Sequence, residues 1–448
     1  MSSSVSSGPS APGKSSSPRR LPRRSPFPIG TMADRAVASA PTGGVRGGPA
    51  WAVERWLVRR LLVALGHPPI EIQLWDGHRA GGHGTPVARV IVRDRPTLWR
   101  LAIQPDLHFG DAYMAGRIEV EGDLVRLLET VYVTMWPLEK PPRRWRRPHA
   151  NTPGGSRANI HHHYDIGEDF YKLWLDRELV YTCAYFPSPS ATLEEAQEAK
   201  MELVCRKLWL ARGETVVEAG CGWGAMALHM ARHYGVTVKA FNISHEQIRY
   251  ARDRARSEGL QDRVEFIEDD YRNISGRFDV FVSIGMLEHV GPDHYGDLGR
   301  VIDRSLGPAG RGLIHSIGRD RPGRINPWIE RRIFPGAHPP SLQEMLGVLE
   351  PQALSVLDVE NLRLHYAETL HQWLARFETA AGAVAAMFDE PFVRAWRLYL
   401  AGSMAAFTTG ALQLFQVLFA RHGLPSIPWT RQRLAGPPLV PTLRVGTH

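Results

Sequence analysis

Helical and strand-like periods of hydrophobic residues alternate along the chain from about residue 190 onward. Thr192 and Glu195 form a capping-box pattern that opens a helix ending near Gly213. A strand, a glycine-rich turn and a helix over Ala225–Tyr234 follow, and Ser244 opens another helix. The further strand-like runs are VTVKAFN, VEFI, FDVFVSI and GLIHSI. Short β and α segments in this order predict an α/β fold built on a doubly wound parallel sheet.

The segment 51–135 predicts a separate, small N-terminal α/β domain. Its first helix carries apolar residues at helical spacing: Val53, Trp56, Leu57, Leu61 and Leu65. Strand-like runs at 70–75 and 88–94 follow, with glycine-rich turns between them. A helix around Leu124–Val133 closes this domain.

The pattern changes again after Gly318. A stretch rich in Pro, Gly and Arg over 319–340 predicts a lid or insertion, and helices are expected to dominate from residue 341 onward. Leu398–Ala420 carries no charged residue and is long enough to span a bilayer. Polar residues such as Gln413 and Gln416 dilute it, so a buried helix packed in the core is favoured over a transmembrane helix.

Residues 157–430 are expected to form the catalytic domain, and the two chain ends to form tails. Residues 1–50 are mostly Ser, Pro, Gly and Arg, which predicts disorder because little apolar surface is available for burial. No signal peptide is expected, because no apolar stretch accompanies the basic residues there, and Met32 is an alternative start. Residues 431–448 are expected to be a C-terminal tail.

A basic, proline-rich linker over 136–156 joins the two domains. Four arginines flank Trp145: Arg143, Arg144, Arg146 and Arg147. This pattern suits a membrane interface and equally a plain charged linker.

The whole chain has a formal net charge of +8, which favours polyanionic partners such as anionic lipids. Nucleic acid is not expected as a partner, because no nucleic-acid-binding motif accompanies the charge.

Length and cysteine usage narrow the class of protein further. The 448 residues suggest about two to three domains. The three cysteines are Cys183, Cys205 and Cys221, and none lies in a C-x-x-C pair. Zinc ribbons and disulfide scaffolds are therefore excluded, no metal site is expected, and the cysteine usage suits a reducing cytosol.

The strongest local signal is the run from Glu218 to Gly224, EAGCGWG, directly after a strand. Glycines permit a tight turn and a close approach of ligand to backbone, and the next helix presents its amino end to an anion. The anion could be a pyrophosphate or the carboxylate of S-adenosylmethionine, and a turn without a ligand is the third interpretation. A nicotinamide-binding fold places an acid at the end of the second strand, whereas here Asn242 ends it, so NAD is disfavoured.

Polar residues also end the later strands. Asp270 follows the third strand, where an acid can accept a hydrogen bond from an adenine amino group. Glu288 and His315 follow the next two strands, whose carboxyl ends point toward one crevice. Each alone is more often a capping or surface group, but together they favour a functional site. Ser244 with Gln247 also fits a capping box, a role compatible with ligand binding.

Six spaced blocks resemble the cyclopropane-fatty-acyl-phospholipid synthase family and its mycolic-acid cyclopropane synthase and fatty-acid methyltransferase relatives. The blocks are HYDIG with DFYxLWLD (163–176), YTCAYF (181–186), EAGCGWG (218–224), NISxxQ (242–247), GMLEHVG (285–291) and IHSIG (314–318). The resemblance covers about 157–422. It implies a class I S-adenosylmethionine methyltransferase fold, a Rossmann-like sheet with helical additions, that acts on a cis double bond of an acyl chain.

The resemblance also implies the role of each matching residue. The residues expected to hold a catalytic bicarbonate ion are Cys183, Glu288, His315, Ile317 and Tyr366. The residues expected to contact S-adenosylmethionine are Tyr181, Thr182, Gly220, Gly222, Asn242, Ile243, Gln247 and Asp270. A nucleophilic role for Cys183 is the competing interpretation and ranks lower, because the sequence identifies no neighbouring base.

Three positions depart from the family pattern. Thr182 replaces the commoner Ser and Asn242 the usual Thr, and both keep a hydrogen-bonding side chain. Thr408 stands after Phe407 where members often carry Arg, a change that alters packing or headgroup contact. The segment containing GDAYMAG (110–116) resembles the small extra domain of the longer bacterial members.

The chemistry implied is one-carbon transfer to unsaturated phospholipid acyl chains by a cytoplasmic enzyme associated peripherally with the inner face of the membrane. Six aromatic residues are available to stabilise a carbocation: Trp174, Tyr181, Tyr185, Phe186, Trp223 and Tyr366. The product stays open between a cyclopropane and a methyl-branched or methylene chain, and a methyl-branched product calls for a reductase partner. A homodimer is also left open. The alternatives are a methyltransferase for a soluble small molecule and an inactive lipid-binding protein.

Overall fold

A computed structural model describes residues 48–135, 166–424 and 426–434. Nearly all of the predicted N-terminal tail and most of the C-terminal tail lie outside the described residues. So do the linker arginines and the first residues of the HYDIG block. The predictions made for those segments stay predictions.

The N-terminal domain is a small α/β unit, as the sequence predicts. Its elements are α1 Ala52–Ala64, β1 Ile70–Gln73, β2 Arg79–Gly81, β3 Ala88–Val92, α2 Arg95–Ile103, α3 Pro105–Met114, β4 Ile118–Gly122 and α4 Leu124–Met135. The strands form one sheet in the order β2-β1-β3-β4, in which β1 and β3 are parallel and the other pairs antiparallel. Asp94 caps α2 by accepting a hydrogen bond from the backbone N–H of Thr97.

Helix α1 buries a different face from the apolar stripe read in the sequence. Leu57, Val58 and Leu62 are buried, whereas Val53 and Trp56 are exposed. Glu54 is also buried, because its carboxylate pairs with Arg95 and accepts a hydrogen bond from the backbone N–H of Trp51. A charged residue thus occupies a core position, and two large apolar side chains face outward.

The catalytic domain alternates strands and helices at the predicted positions. Its elements are α5 Glu168–Tyr171, α6 Leu193–Lys207, β5 Thr215–Ala219, α7 Ala225–Tyr234, β6 Thr237–Asn242, α8 His245–Ser257, β7 Val264–Glu268, β8 Phe278–Ile284, α9 Tyr295–Ser305, β9 Leu306–Gly318, α10 Pro327–Arg332, α11 Leu342–Leu349, β10 Leu354–Asn361, α12 Arg363–Met387, α13 Glu390–Thr409 and β11 Gln413–Arg421. Thr192 and Glu195 form the predicted capping box of α6. Ser244 caps α8, although only one half of the predicted box forms there.

The seven strands of this domain form one sheet in the order β10-β11-β9-β8-β5-β6-β7. Strands β5 to β9 are parallel, and the chain reverses direction across the sheet between β5 and β8. Strand β11 pairs antiparallel with both β9 and β10. Helices dominate after residue 341, as expected, but the sequence analysis did not find the two strands β10 and β11, which make this edge of the sheet antiparallel.

The uncharged segment Leu398–Ala420 is neither a transmembrane helix nor one buried helix. Its first part belongs to α13, and its last part is β11, buried along most of its length. Gly410, with φ +86°, adopts the left-handed conformation that ends α13. Among the described residues, no helix is long and apolar enough to cross a membrane.

The two domains pack directly on each other. The Arg394 guanidinium on α13 donates to the carbonyl oxygens of Tyr113 and Ile118 at 2.6 and 2.9 Å. Arg332 on α10 donates to a carboxylate oxygen of Asp111 at 3.0 Å. Helix α10 lies inside the predicted lid 319–340, so the lid is in contact with the N-terminal domain.

Candidate active site

A cavity of about 880 Å³ lies at the carboxyl ends of β5, β6, β8 and β9. Open α/β sheets bind ligands at this edge, next to the point where the strand order reverses. Eleven of the thirteen predicted site residues line the cavity: Tyr181, Thr182, Cys183, Gly220, Gly222, Asn242, Gln247, Glu288, His315, Ile317 and Tyr366. Ile243 and Asp270 do not line it.

The glycine-rich turn between β5 and α7 forms one wall. Gly220, Gly222 and Gly224 all have positive φ, a conformation that favours glycine. A Cβ atom on Gly222 would meet no protein atom within 4 Å, whereas on Gly224 it would lie 2.7 Å from a ring carbon of Phe266. Gly222 therefore leaves space for a ligand, and Gly224 allows close packing of α7 against the sheet.

The end of β6 is held by a pair of amides. The Asn242 amide nitrogen donates to the Gln247 side-chain oxygen at 2.7 Å, and the Ile243 backbone N–H donates to the Asn242 side-chain oxygen at 2.8 Å. Asp270 has a different role, because its two carboxylate oxygens accept hydrogen bonds from the guanidinium and backbone N–H of Arg272 at 2.9 Å each. The structure therefore gives Asp270 a local partner and does not bring it to the cavity wall.

The YTCAYF block forms the wall opposite the glycines. The hydroxyls of Tyr181 and Tyr399 lie 2.8 Å apart, which links this block to α13. The ammonium of Lys200 on α6 donates to the Thr182 hydroxyl at 3.1 Å. Both partners, Tyr399 and Lys200, line the cavity and were missed in the sequence. Lys200 left one signal, since it is a charged residue on the buried face of an amphipathic helix.

Glu288 and His315 both line the cavity, at the edge where the strand order led us to expect them. One Glu288 carboxylate oxygen accepts a hydrogen bond from the backbone N–H of Ile317 at 2.7 Å. The other oxygen and the Nε2 of His315 are buried, and neither has a hydrogen-bond partner among the described residues. Burial raises the pKa of Glu288 to about 7, and burial also lowers the pKa of His315 well below its usual value.

The orientation of His315 is set by Gln416 on β11. The register of β9 and β11 places these residues opposite each other, and the Gln416 amide nitrogen lies 3.1 Å from His315 Nδ1. In this arrangement the amide donates to Nδ1, so the neutral ring carries its proton on Nε2, toward the cavity. The site thus presents one hydrogen-bond donor, His315 Nε2–H, and one carboxylate oxygen of Glu288 that have no partner among the described residues.

Cys183 is fully buried, and burial raises the pKa of its thiol. Its sulfur contacts the backbone carbonyl of Ala184 at 3.1 Å. A thiol in this environment stays protonated near neutral pH, which disfavours the nucleophilic alternative. The role left to Cys183 is as part of the wall beside Thr182.

A cluster of three buried ionisable side chains, Lys200, Asp176 and Glu218, lies next to Thr182. Burial lowers the pKa of Lys200 to about 8, and the nearby Asp176 and Glu218 oppose this shift. Burial raises the pKa of Asp176 to about 6 and that of Glu218 to about 7. Glu218 lines the cavity with one carboxylate oxygen that has no partner among the described residues. This oxygen can accept a hydrogen bond from a cationic ligand.

Aromatic side chains enclose the remaining wall. Those of the catalytic domain that line the cavity are Tyr181, Trp223, Trp328, Phe334, Tyr366, Tyr399 and Phe407, and the N-terminal domain adds Phe109 and Tyr132. The Tyr366 and Phe407 rings pack 4.5 Å apart, and the Phe334 and Tyr399 rings 5.5 Å apart. Three of the six aromatics proposed from the sequence do not line the cavity: Trp174 lies in the core, and Tyr185 and Phe186 stack on His365.

Comparison with known proteins identifies the family of this chain. Residues 153–417 match the family model described as mycolic acid cyclopropane synthetase. Residues 57–136 match a domain of unknown function (DUF7884). The first match covers more than half of the chain.

Several characterised or named proteins are similar in sequence. A probable fatty acid methyltransferase of Pseudomonas putida is 35% identical over 82% of this chain and 96% of its own length. The tuberculostearic acid methyltransferase UfaA1 of Mycobacterium tuberculosis is 32% identical over 87% of this chain and 96% of its own. The cyclopropane-fatty-acyl-phospholipid synthase of Escherichia coli K12 is 39% identical, but the match spans 58% of this chain and 66% of that protein.

Solved structures show the same fold. The mycolic acid cyclopropane synthase CmaA1 in complex with SAH and CTAB has a TM-score of 0.57 and 29% identity, covering 62% of this chain and 99% of its own. The cyclopropane synthase MmaA2 from Mycobacterium tuberculosis also has a TM-score of 0.57, with 27% identity, over 62% of this chain and all of its own. The chain therefore belongs to the mycolic acid cyclopropane synthetase family and is an S-adenosylmethionine-dependent methyltransferase of the class I fold.

Proposed function

We propose that the protein transfers a one-carbon unit from S-adenosylmethionine to a cis double bond in an acyl chain of an unsaturated phospholipid. One observation carries the proposal: Glu288 and His315 are buried, each has one polar atom without a hydrogen-bond partner among the described residues, and both line a large aromatic and aliphatic cavity that also contains the glycine-rich turn. A volume of about 880 Å³ is near the upper end of the range for ligand sites, roughly 300–1,000 Å³, and suits a cofactor together with a chain.

The cofactor end of the cavity has groups for each charged part of S-adenosylmethionine. The backbone N–H groups at the start of α7 suit the methionyl carboxylate, because a helix amino end attracts anions. The unsatisfied oxygen of Glu218 suits the methionyl ammonium. Gly222 leaves the space in which the ligand approaches the backbone.

The reacting end suits a cationic intermediate. An alkene is a weak nucleophile, so the sulfonium methyl must be held close and in line with it. When the methyl carbon bonds to the alkene, the carbon–sulfur bond breaks and positive charge moves to the chain. The faces of Tyr366, Phe407 and Tyr399 can stabilise that charge, and their enclosure keeps water away.

Loss of one proton from the cation completes a cyclopropane or a methylene product. Bicarbonate fits this position, because the buried Nε2–H of His315 can donate to the anion and the free Glu288 oxygen can accept its hydroxyl proton. Tyr366 and the wall at Cys183 and Ile317 border the same space. Bicarbonate, when bound, supplies the base, and the surrounding residues orient it. A methyl-branched product needs two more hydrogens, which a reductase partner would supply.

The phospholipid and membrane assignments rest on charged and apolar residues at the surface. Arginines of the lid line the cavity, which suits a phosphate headgroup: Arg319, Arg321 and Arg324. The outer face of α1 exposes 52% of Trp56 and 56% of Val63, beside the exposed Arg59 and Arg60. Tryptophan with basic neighbours on one helix face suits the interface of an anionic bilayer, so we place the enzyme peripherally on the membrane.

The test is a product analysis with purified protein, methyl-labelled S-adenosylmethionine and vesicles of cis-unsaturated phospholipid. We expect labelled acyl chains heavier by one CH₂ group, and no label in vesicles of saturated phospholipid. A gain of one CH₂ and two hydrogens in the presence of a reductase would indicate methyl branching. Label transferred only to soluble acceptors would refute the phospholipid assignment, and cofactor binding without turnover on any lipid would indicate an inactive lipid-binding protein.

A further inference from the structure

The cavity does not end at the catalytic domain. Its wall continues into the N-terminal domain, where α1, β1, β3, α2, α3 and α4 all contribute to it. Representative wall residues from these elements are Leu61, Ile72, Val90, Leu101, Leu128 and Val131. Within the described residues 48–135, Asp106 and Tyr132 are the only wall residues with an ionisable side chain. We call this apolar part of the cavity the chamber.

Helix α13 connects the chamber to the reacting end. Tyr399 and Phe407 face the aromatic wall, whereas Gly402, Ser403 and Ala406, one turn apart on the same helix, also line the cavity. A Cβ atom on Gly402 would meet only the Leu128 side chain of α4, at 4.0 Å. Small residues therefore keep a passage open between the two domains.

We infer that the chamber binds the methyl-terminal part of the acyl chain, so that the domain of unknown function measures the chain beyond its reacting double bond. This inference rests on the proposed function. The two ends of the cavity differ in polarity: the lid contributes arginines, and the N-terminal domain contributes almost only hydrocarbon. A phospholipid has the same polarity, with a charged headgroup at one end and methyl groups at the other.

The continuity of the chamber with the site argues against simple imperfect packing. Protein interiors are close-packed, and unfilled apolar space lowers stability. A chamber bordered by six elements of one domain and joined to the catalytic cavity is explained by a ligand that fills both. The chemistry proposed at the carboxyl ends of the strands uses none of these N-terminal residues.

The test changes the passage in the full-length protein. Gly402→Leu extends a side chain into the passage, and we expect turnover of long-chain phospholipids to fall relative to short-chain ones by about fourfold for each methylene excluded. S-adenosylmethionine affinity should stay unchanged. The matched control is Gly382→Leu. Gly382 is an exposed glycine within α12, no atom lies within 4 Å of its Cβ position, and it does not line the cavity.

A second variant covers the case in which Gly402→Leu fails to fold. Leu101→Ala enlarges the chamber and should shift the preference in the opposite direction, toward longer chains. If the wild type is active and both variants keep its ratio of long-chain to short-chain turnover, the chamber does not bind the chain. If the wild type is inactive on all phospholipids, the proposed function fails.

A binding readout separates the inference from activity. A phospholipid with a photoreactive group at its acyl methyl end should label peptides from 51–135 in the wild type and not in Gly402→Leu. Labelling confined to the catalytic domain in the wild type would overturn the inference whatever the turnover.

Discussion

Gly222→Ala tests directly whether the cofactor contacts the glycine-rich turn. The added methyl group would meet no protein atom within 4 Å and would project into the cavity, so a cofactor is the group it would contact. Two effects must be separated. One is backbone strain, because Gly222 has φ +53°. The other is overlap with the bound ligand.

Both effects can be given magnitudes. Alanine in the left-handed region costs about 1–2 kcal/mol, which lowers stability without touching the ligand. An extra methyl group in a filled site costs about 1–3 kcal/mol. At about 1.4 kcal/mol per factor of ten, the affinity for S-adenosylmethionine should fall about 5- to 150-fold.

Gly259 provides the matched control. It has φ +67° and no atom within 4 Å of its Cβ position, and it lies exposed just after α8, away from the cavity. Gly259→Ala should therefore lose a similar stability and keep its cofactor affinity. Gly224→Ala should lose more stability than either variant, because its Cβ would also lie 2.8 Å from that of Ala251.

Calorimetric titration with S-adenosylmethionine and thermal unfolding without ligand measure the two effects on the same preparations. The expected result is a similar fall in Tm for Gly222→Ala and Gly259→Ala, with weakened binding in Gly222→Ala alone. Equal affinity in these two variants would show that the cofactor does not approach Gly222, and the glycine-rich turn would have to be removed from the site.

Two further predictions concern catalysis and the membrane. Glu288→Gln and His315→Ala should each lower turnover by roughly a hundredfold or more with little change in cofactor affinity. Burial raises the Glu288 pKa to about 7, so its carboxylate forms as pH rises through that value. The kcat/KM of the wild type should therefore rise through about pH 7, and a Glu288→Gln variant that keeps this limb would refute the assignment. Binding to anionic vesicles should weaken in about 0.5 M salt. It should weaken further in Trp56→Ser and in a variant with all four linker arginines changed to Gln, and neutral vesicles serve as the control. Salt-resistant binding that all these variants retain would contradict the proposed surface.

Much of the fold could be predicted because its local signals are strong. Thr192 with Glu195 and the helix over Ala225–Tyr234 were placed correctly, since caps and glycines act within a few residues. The outer face of α1 could not be predicted. Whether Trp56 or Glu54 is buried depends on Arg95, which lies in another element and pairs with the acid.

The candidate site was predictable where a strand end carries a polar group. Glu288 and His315 converge because parallel strands bring their carboxyl ends to one edge. The partners Lys200, Tyr399 and Gln416 could not be found this way, because each comes from a helix or strand whose position is fixed only by tertiary packing. Asp270 lies at the strand end that was expected, but its carboxylate pairs with Arg272, a local partner that the strand order does not reveal.

The segment Leu398–Ala420 has no charged residue, and its contacts in the structure give the reason. Its helical part brings Tyr399 to Tyr181 at the reacting end and leaves space at Gly402 for the passage to the chamber. Gly410 then ends the helix, and the strand that follows brings Gln416 to His315. Each of these contacts lies inside the protein, where an unpaired charge would be costly. The absence of charge therefore reflects two contacts with the site and one open passage beside it. A hydrophobicity count cannot distinguish this arrangement from one buried or membrane-spanning helix.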